Sequence, residues 1–234
     1  MTASNYAAGD PEKDVFYKGE KLVYDVTWKG IKVGENIIYI KGRAEIGGHK
    51  TYHIVSETAS KGIAELFFRV RDKEETFIDS ETYYPWYYKK DINEGSHHNK
   101  GEYIFDGGRE TVVTPGGKYS IPSGCHDPLS VLIYCGFLKI EKGEDILLNY
   151  VTDKGIRTIN GKVLREETVS VPPGRFKTKV VEFKLKSGNP NQLRLSSSTL
   201  LWFADKNRSL PVLVKFKTKY GYVKCVLKDY KINE

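Results

Sequence analysis

The chain has 234 residues, 39% of them hydrophobic and 29% charged, with a net charge of +7. This length and balance suit one large or two small globular domains whose core needs no disulfide framework. They exclude a helical membrane protein: no apolar run approaches the ~20 residues of a membrane span, and the longest, Leu129 to Ile140, is broken by Gly136 and Lys139.

From the start of the patterned sequence the side chains alternate. Leu22, Tyr24, Val26 and Trp28 share one face of a strand while Lys21, Asp25 and Thr27 point away. Lys29-Gly30 turns the chain into a second strand, Ile31 to Lys41, with a kink expected at Gly34. Gly47-Gly48 introduces a third, Thr51 to Ala59. Further strands are expected over Leu66 to Asp79, Tyr83 to Lys90 and Glu102 to Phe105. Gly107-Gly108 and Gly116-Gly117 punctuate two short strands, Glu110 to Thr114 and Lys118 to Ile121. Regular spacing of short strands and glycine turns indicates consecutive hairpins. Sixteen tyrosines and a single methionine fit pleated strands, where rings pack across neighbours.

One segment breaks the rhythm. Asp127 can cap a helix that begins at Pro128, and Leu129, Leu132, Ile133, Phe137 and Ile140 then fall near one face. Strands resume at Asp145 to Thr152, Arg157 to Val171, Phe176 to Lys186, Leu200 to Ala204, Leu210 to Lys217 and Tyr222 to Ile232. Pro172-Pro173-Gly174 and Ser187-Gly188-Asn189-Pro190 mark turns. The expected fold is mainly β: a strongly curved antiparallel meander, open or closed like a barrel, with one central helix packed on it. Residues 1–18 read as a flexible N-terminus, and 19–234 as one such domain with its helix near 127–140.

Charge is uneven, −4 over residues 1–154 and +11 over 155–234. In the basic third, Arg175, Lys177 and Lys179, and again Lys215, Lys217 and Lys219, alternate as on the solvated face of a half-buried sheet. The same third could touch an anionic membrane peripherally; no nucleic acid is expected.

Residues able to carry chemistry are few. Cys125-His126-Asp127 is contiguous, whereas a triad needs convergence from separate elements, and Asp127 is already explained as a cap. His97 and His98 on a strand face opposite ways, and no metal-ligand spacing occurs, so the five histidines read as surface or turn residues. Asp72, Glu74, Glu75 and Asp79 read as an exposed, salt-bridged strand face beside Arg69 and Arg71. Cys125, Cys135 and Cys225 read as buried free thiols, although Cys135 and Cys225 could meet in the core. The run Tyr83-Tyr84-Pro85-Trp86-Tyr87-Tyr88 could offer a stacking platform, or pack across the sheet with Pro85 at an edge or bulge. No catalytic residue, metal or cofactor is expected.

Several phrases together resemble one family: Tyr24-Asp25-Val26 with Trp28 to Gly34, Tyr52-His53-Ile54-Val55, and Arg69-Val70-Arg71-Asp72 with Glu75 to Asp79. His126-Asp127-Pro128-Leu129-Ser130 and Trp202-Phe203-Ala204-Asp205 with Arg208, Leu210, Pro211 and Val212 complete the set. The chain is similar, from about Gly19 onward, to the exported bacterial domain-of-unknown-function family numbered 3108. The resemblance implies a periplasmic or envelope location in a Gram-negative bacterium, and it carries over no catalytic residue. It also leads residues 1–14 to be read as the start of a mature exported protein with its signal peptide removed. The closing Trp-x-x-Asp and Arg-x-x-Pro pattern further resembles curved-sheet carriers of lipoproteins and lipids.

The expected function is non-catalytic binding of an apolar or lipid-like ligand in the concavity of the sheet. Tyr24, Trp28, Phe68, Leu132, Phe137 and Trp202 are the candidate lining residues, being large, apolar and on inward faces. The alternative is an envelope scaffold that binds protein or glycan through a sheet edge or an aromatic surface made of Tyr84, Trp86, Tyr87 and Tyr88.

Overall fold

The computed structural model describes residues 16–106, 110–138, 141–185, 198–204, 209–218 and 221–232. The first arm comprises β1 (Lys21–Trp28), β2 (Ile31–Ile46), β3 (His49–Ser60), β4 (Arg71–Asp79), β5 (Pro85–Glu94), β6 (His97–Asp106), β7 (Thr111–Thr114) and β8 (Gly117–Ser120). A one-turn helix α1 (Ala64–Phe67) lies between β3 and β4, and α2 (Pro128–Cys135) follows β8. The second arm is β9 (Asp145–Thr152), β10 (Gly155–Val171), β11 (Gly174–Leu185), β12 (Thr199–Ala204), β13 (Leu210–Thr218) and β14 (Gly221–Lys231).

All fourteen strands form one antiparallel sheet, in which β1 pairs with both β2 and β14, so the two arms grow outward from the centre to edges at β8 and β9. The meander is not closed. The segment entering α2 instead lies along β9: His126 N–H donates to the Asn149 carbonyl and Val151 N–H to the His126 carbonyl. Edge-strand groups that could recruit another chain are thereby partly satisfied. The arms also meet at the β9–β10 turn, where Asp153 accepts hydrogen bonds from Lys90 and Asn99 of the first arm, and from the Tyr103 hydroxyl.

Local chemistry explains the turns. Lys29 (φ 50°) and Gly30 (φ 83°) supply the two positive-φ positions of a tight hairpin. The register shifts beside Gly34, where β1 Val26 and Thr27 face Gly34 and Lys32. Gly34 is required there because a Cβ would stand 2.7 Å from the Ala59 carbonyl oxygen. Pro85 also sits at a register shift, since Phe77 pairs with Tyr87 and Ile78 with Pro85.

The helix differs from the single-faced one expected. Leu129, Leu132, Ile133 and Phe137 join the larger core with Tyr24, Val180, Trp202 and Leu227. Val131, Cys135 and Leu138 enter a second cluster with Leu148, Val181 and Phe203. Strands β11 and β12 are therefore buried on both faces, and α2, touching β4 and β9, bridges the two arms. The strand expected from Leu66 starts only at Arg71, because Ala64–Phe67 takes a helical turn whose apolar side chains stay in solvent. All three cysteines are free. Turn residues Gly107, Gly108, Ser187 to Pro190, Asp205, Asn207 and Arg208, the helix-face residue Ile140 and N-terminal residues 1–15 lie outside the described residues.

Candidate functional site

The site begins with how α2 is held. Asp127 Oδ1 accepts from the backbone N–H groups of Leu129 and Ser130, each at 2.8 Å, and Ser130 Oγ accepts from Asp127 N–H. This capping box satisfies amides that a helix start otherwise leaves unpaired. Thr76, on β4, donates to Asp127 Oδ2 at 2.6 Å. Burial nevertheless pushes the Asp127 carboxyl up to about 6, because desolvation outweighs the donated hydrogen bonds. At the other end of the helix, Ser209 N–H donates to the Gly136 carbonyl at 3.0 Å. A Cβ on Gly136 would meet the Ser209 oxygen at 2.9 Å, so this close approach requires glycine.

A cleft of about 70 Å³ lies between α2, strands β1 and β2, and the start of β13. Leu22, Ile38 and Ile40 form one wall, and Leu132, Ile133 and Phe137 the facing one. Leu210, Pro211 and Ile232 complete it, with Phe16 beside Phe137 and with Glu20 and Lys21 as its charged members. Phe16 stands edge-on to Tyr52 and to Phe137 with centroids 5.2 and 5.3 Å away, and Tyr83 stacks on Phe137 at 4.7 Å. These contacts fix an aromatic rim.

Of the expected lining residues, the structure brings Leu132 and Phe137 to this cleft. Tyr24 borders it: its ring is in the core and its hydroxyl donates to the Pro211 carbonyl at 2.7 Å. Trp202 is buried, with its indole N–H donating to Glu167. Trp28 is at the opposite end of β1, with Lys29 Nζ 4.7 Å from its ring centroid. Phe68 is 51% exposed at that same far end, because its residue follows the helical turn and not a strand. Leu22, Ile38 and Ile40 carried a readable signal, the inward alternation with Tyr24, whereas Phe16 precedes every patterned segment.

The aromatic run is divided between packing tasks. Tyr88 is not on a surface: it is buried and donates to Glu74. Trp86 stacks on His49 at 3.6 Å and donates to Asp79 at 2.9 Å. Tyr87 is edge-on to Phe77 at 5.7 Å, and Tyr84 leans on His126 and Tyr134. The bulge at Pro85 is what lets successive rings take different neighbours.

His126 departs from the surface reading. It is fully buried between Tyr84 and Tyr134, Nδ1 lies 3.3 Å from Ser130 Oγ, and Nε2 has no partner. Burial pulls its pKa down to about 3 and pushes the Cys125 thiol up to about 12. A reactive thiolate needs the opposite environment, so Cys125-His126-Asp127 is built for structure. The acidic face is likewise two-sided: Glu75 meets His53 and Lys73 outside, while half-buried Glu74 accepts from the Tyr88 hydroxyl. Among the described residues no group of three His, Cys, Asp or Glu side chains could hold a metal ion.

A family model described as "Protein of unknown function (DUF3108)" matches residues 23–228. Among solved structures, the chain is similar to a beta-barrel-like protein of domain of unknown function DUF1849 from Brucella abortus. That similarity has 10% identity, covers 94% of this chain and 100% of that one, and has a TM-score of 0.60. It shows a common fold. A candidate exported protein with a YmcC-like fold from Bacteroides fragilis has 12% identity, coverages of 93% and 97%, and a TM-score of 0.44. A candidate lipoprotein from Parabacteroides distasonis has 11% identity, coverages of 92% and 97%, and the same TM-score. No curated protein matches the sequence.

Proposed function

The chain belongs to the DUF3108 family, and from that footing we propose that it is a non-catalytic binding protein of the cell envelope whose cleft between α2 and β1–β2 takes the end of an acyl chain. The observation that carries this reading is the cleft's lining, two facing apolar walls from Leu22, Ile38, Ile40, Leu132, Ile133 and Phe137. Apolar surface left open to water gains about 25 cal/mol per Å² when a hydrocarbon covers it. Exposed Lys21, among the lining residues, can meet an anionic headgroup outside.

The volume sets the scale of the ligand. Pockets that enclose a whole small molecule run to roughly 300–1,000 Å³, and about 70 Å³ takes only a chain end. Deeper binding would require Phe16 to leave its place against Phe137. The capping box and the Ser209–Gly136 contact hold both ends of α2, so deeper entry would displace Phe16 and not the helix.

The test is native mass spectrometry, followed by organic extraction, on protein isolated from a bacterial periplasm. A stoichiometric acyl lipid, lost in a Leu132→Trp variant that fills the cleft, is the expected result. A clean apo mass, together with no saturable binding of a fluorescent fatty acid, would overturn the reading.

A further inference from the structure

The end of the sheet opposite the cleft carries an unusual exposure of apolar side chains. In the link between β3 and β4, Ile63 is 68% exposed, Leu66 82%, Phe67 83% and Phe68 51%. At the same end, Ile31 opens β2 at 59% and Tyr222 stands at 52% near the start of β14. A water-facing cluster of this kind costs free energy with no return in folding, which marks it as a contact surface.

The projection is hydrogen-bonded within itself and at its base. Glu65 N–H donates to the Gly62 carbonyl, Leu66 N–H to Ile63 and Phe68 N–H to Ala64, so three amides of the turn bond within it. Its base is tied by Lys61 N–H to Val33, Ser60 N–H to Val70 and Gly95 N–H to Arg69, and the Phe68 ring lies against Gly95. Charge is arranged with equal specificity. Glu65, the acid of the tip, is ion-paired with Arg71, while exposed Lys61 and Arg69 flank the apolar residues on either side.

We propose that residues 61–69 form a membrane-docking tip, in which Ile63, Leu66 and Phe67 enter the interfacial zone of a bilayer and Lys61 and Arg69 engage anionic lipid headgroups. An apolar point set in a basic collar is the chemistry of interfacial insertion into anionic lipid. Exposed Lys29, Lys154 and Lys217 lie at the same end of the sheet and extend the collar. The proposal does not depend on the cleft.

The experiment is flotation of the purified chain with phosphatidylcholine vesicles, with and without phosphatidylglycerol, for the parent, a Leu66→Ser/Phe67→Ser variant and a Lys61→Gln/Arg69→Gln variant. The parent is expected to float with the phosphatidylglycerol vesicles. The serine variant should lose partitioning about a hundredfold, since two large side chains no longer leave water, with an unfolding midpoint equal to the parent's or higher. The glutamine variant should lose less, about tenfold, and its residual binding should depend less on salt. Parent protein that floats with neither vesicle, or a serine variant that floats as well as the parent, would overturn the proposal. The first result would make the tip a protein-docking surface.

Discussion

The Thr76 hydroxyl donates to Asp127 Oδ2 at 2.6 Å, joining β4 to the cap of α2 across 51 residues of sequence in a wholly buried place. The bond fixes the helix, and with it one wall of the cleft, to the first arm of the sheet. Thr76→Val leaves a buried carboxylate oxygen without its donor and should cost about 1–3 kcal/mol. Asp127→Ala removes the cap as well and should cost about 2–4 kcal/mol. Urea unfolding of both and of the double variant checks this: the double variant should lose at least about 1 kcal/mol less than the sum.

His126 gives the protein an acid-sensitive point. Its imidazole is held near a pKa of 3 by burial, whereas an unfolded histidine titrates near 6.5. The neutral form is therefore the one that fits, and its contribution to stability is complete above about pH 6.5 and shrinks as pH falls toward 3. Asp127 opposes this, because a carboxyl raised to about 6 makes protonation favour the folded state between about 6 and its ordinary 3.8. His126→Phe removes only the first effect. Relative to the parent, it should gain roughly 2 kcal/mol between pH 7 and pH 5 in urea unfolding. Parallel stability–pH curves would contradict the burial of a neutral ring.

Asp153 clasps the arms at the β9–β10 turn, with Asn99 Nδ2 at 2.6 Å and with Lys90 and Tyr103. Those donors hold its carboxyl near 2, so the clasp is intact above about pH 4 and loosens as pH falls through 2. Because the group is partly exposed, its effect should be local. Asp153→Ala should speed amide exchange in the β9–β10 turn and the paired ends of β5 and β6, with little change elsewhere.

Gly34→Ala sets a methyl group 2.7 Å from the Ala59 carbonyl oxygen on β3. Backbone cannot yield as a flexible side chain does, so the β2–β3 pairing should shift at a cost of about 1–3 kcal/mol, measured by thermal or urea unfolding.

Much of this architecture was legible because its causes are local. Asp127-Pro128 announced the helix start, Lys29-Gly30 a hairpin, Gly34 an irregularity, and alternation put Leu22 and Tyr24 on the core face, while Val26 and Trp28 stay partly exposed. Leu66 to Phe68 misled because a short apolar run reads as strand until its burial is known, and here the run is exposed. What the sequence could not reveal depends on residues far apart. The Asp153 clasp joins residues 50 and more apart, and the burial of His126 follows from Tyr84 and Tyr134 closing over it. Whether the meander closes turns on how β8 and β9 end. Of the expected ligand-lining side chains, Leu132 of α2 and Phe137 just beyond its end reach the cleft, because helical periodicity is a short-range property. Phe68 and Trp28 went to the opposite end because a strand's inward face says nothing about which end of the sheet opens.

The central claim, that the cleft beside α2 holds an acyl chain end, is tested most directly by a photoreactive fatty acid with its diazirine at the chain terminus. After irradiation and proteolysis, adducts should map to the peptides carrying Leu132, Ile133 and Phe137 and to those carrying Ile38 and Ile40, and excess unlabelled fatty acid should abolish them. Labelling confined to the exposed Ile63–Phe68 tip, or spread over the outer faces of the strands, would contradict the claim.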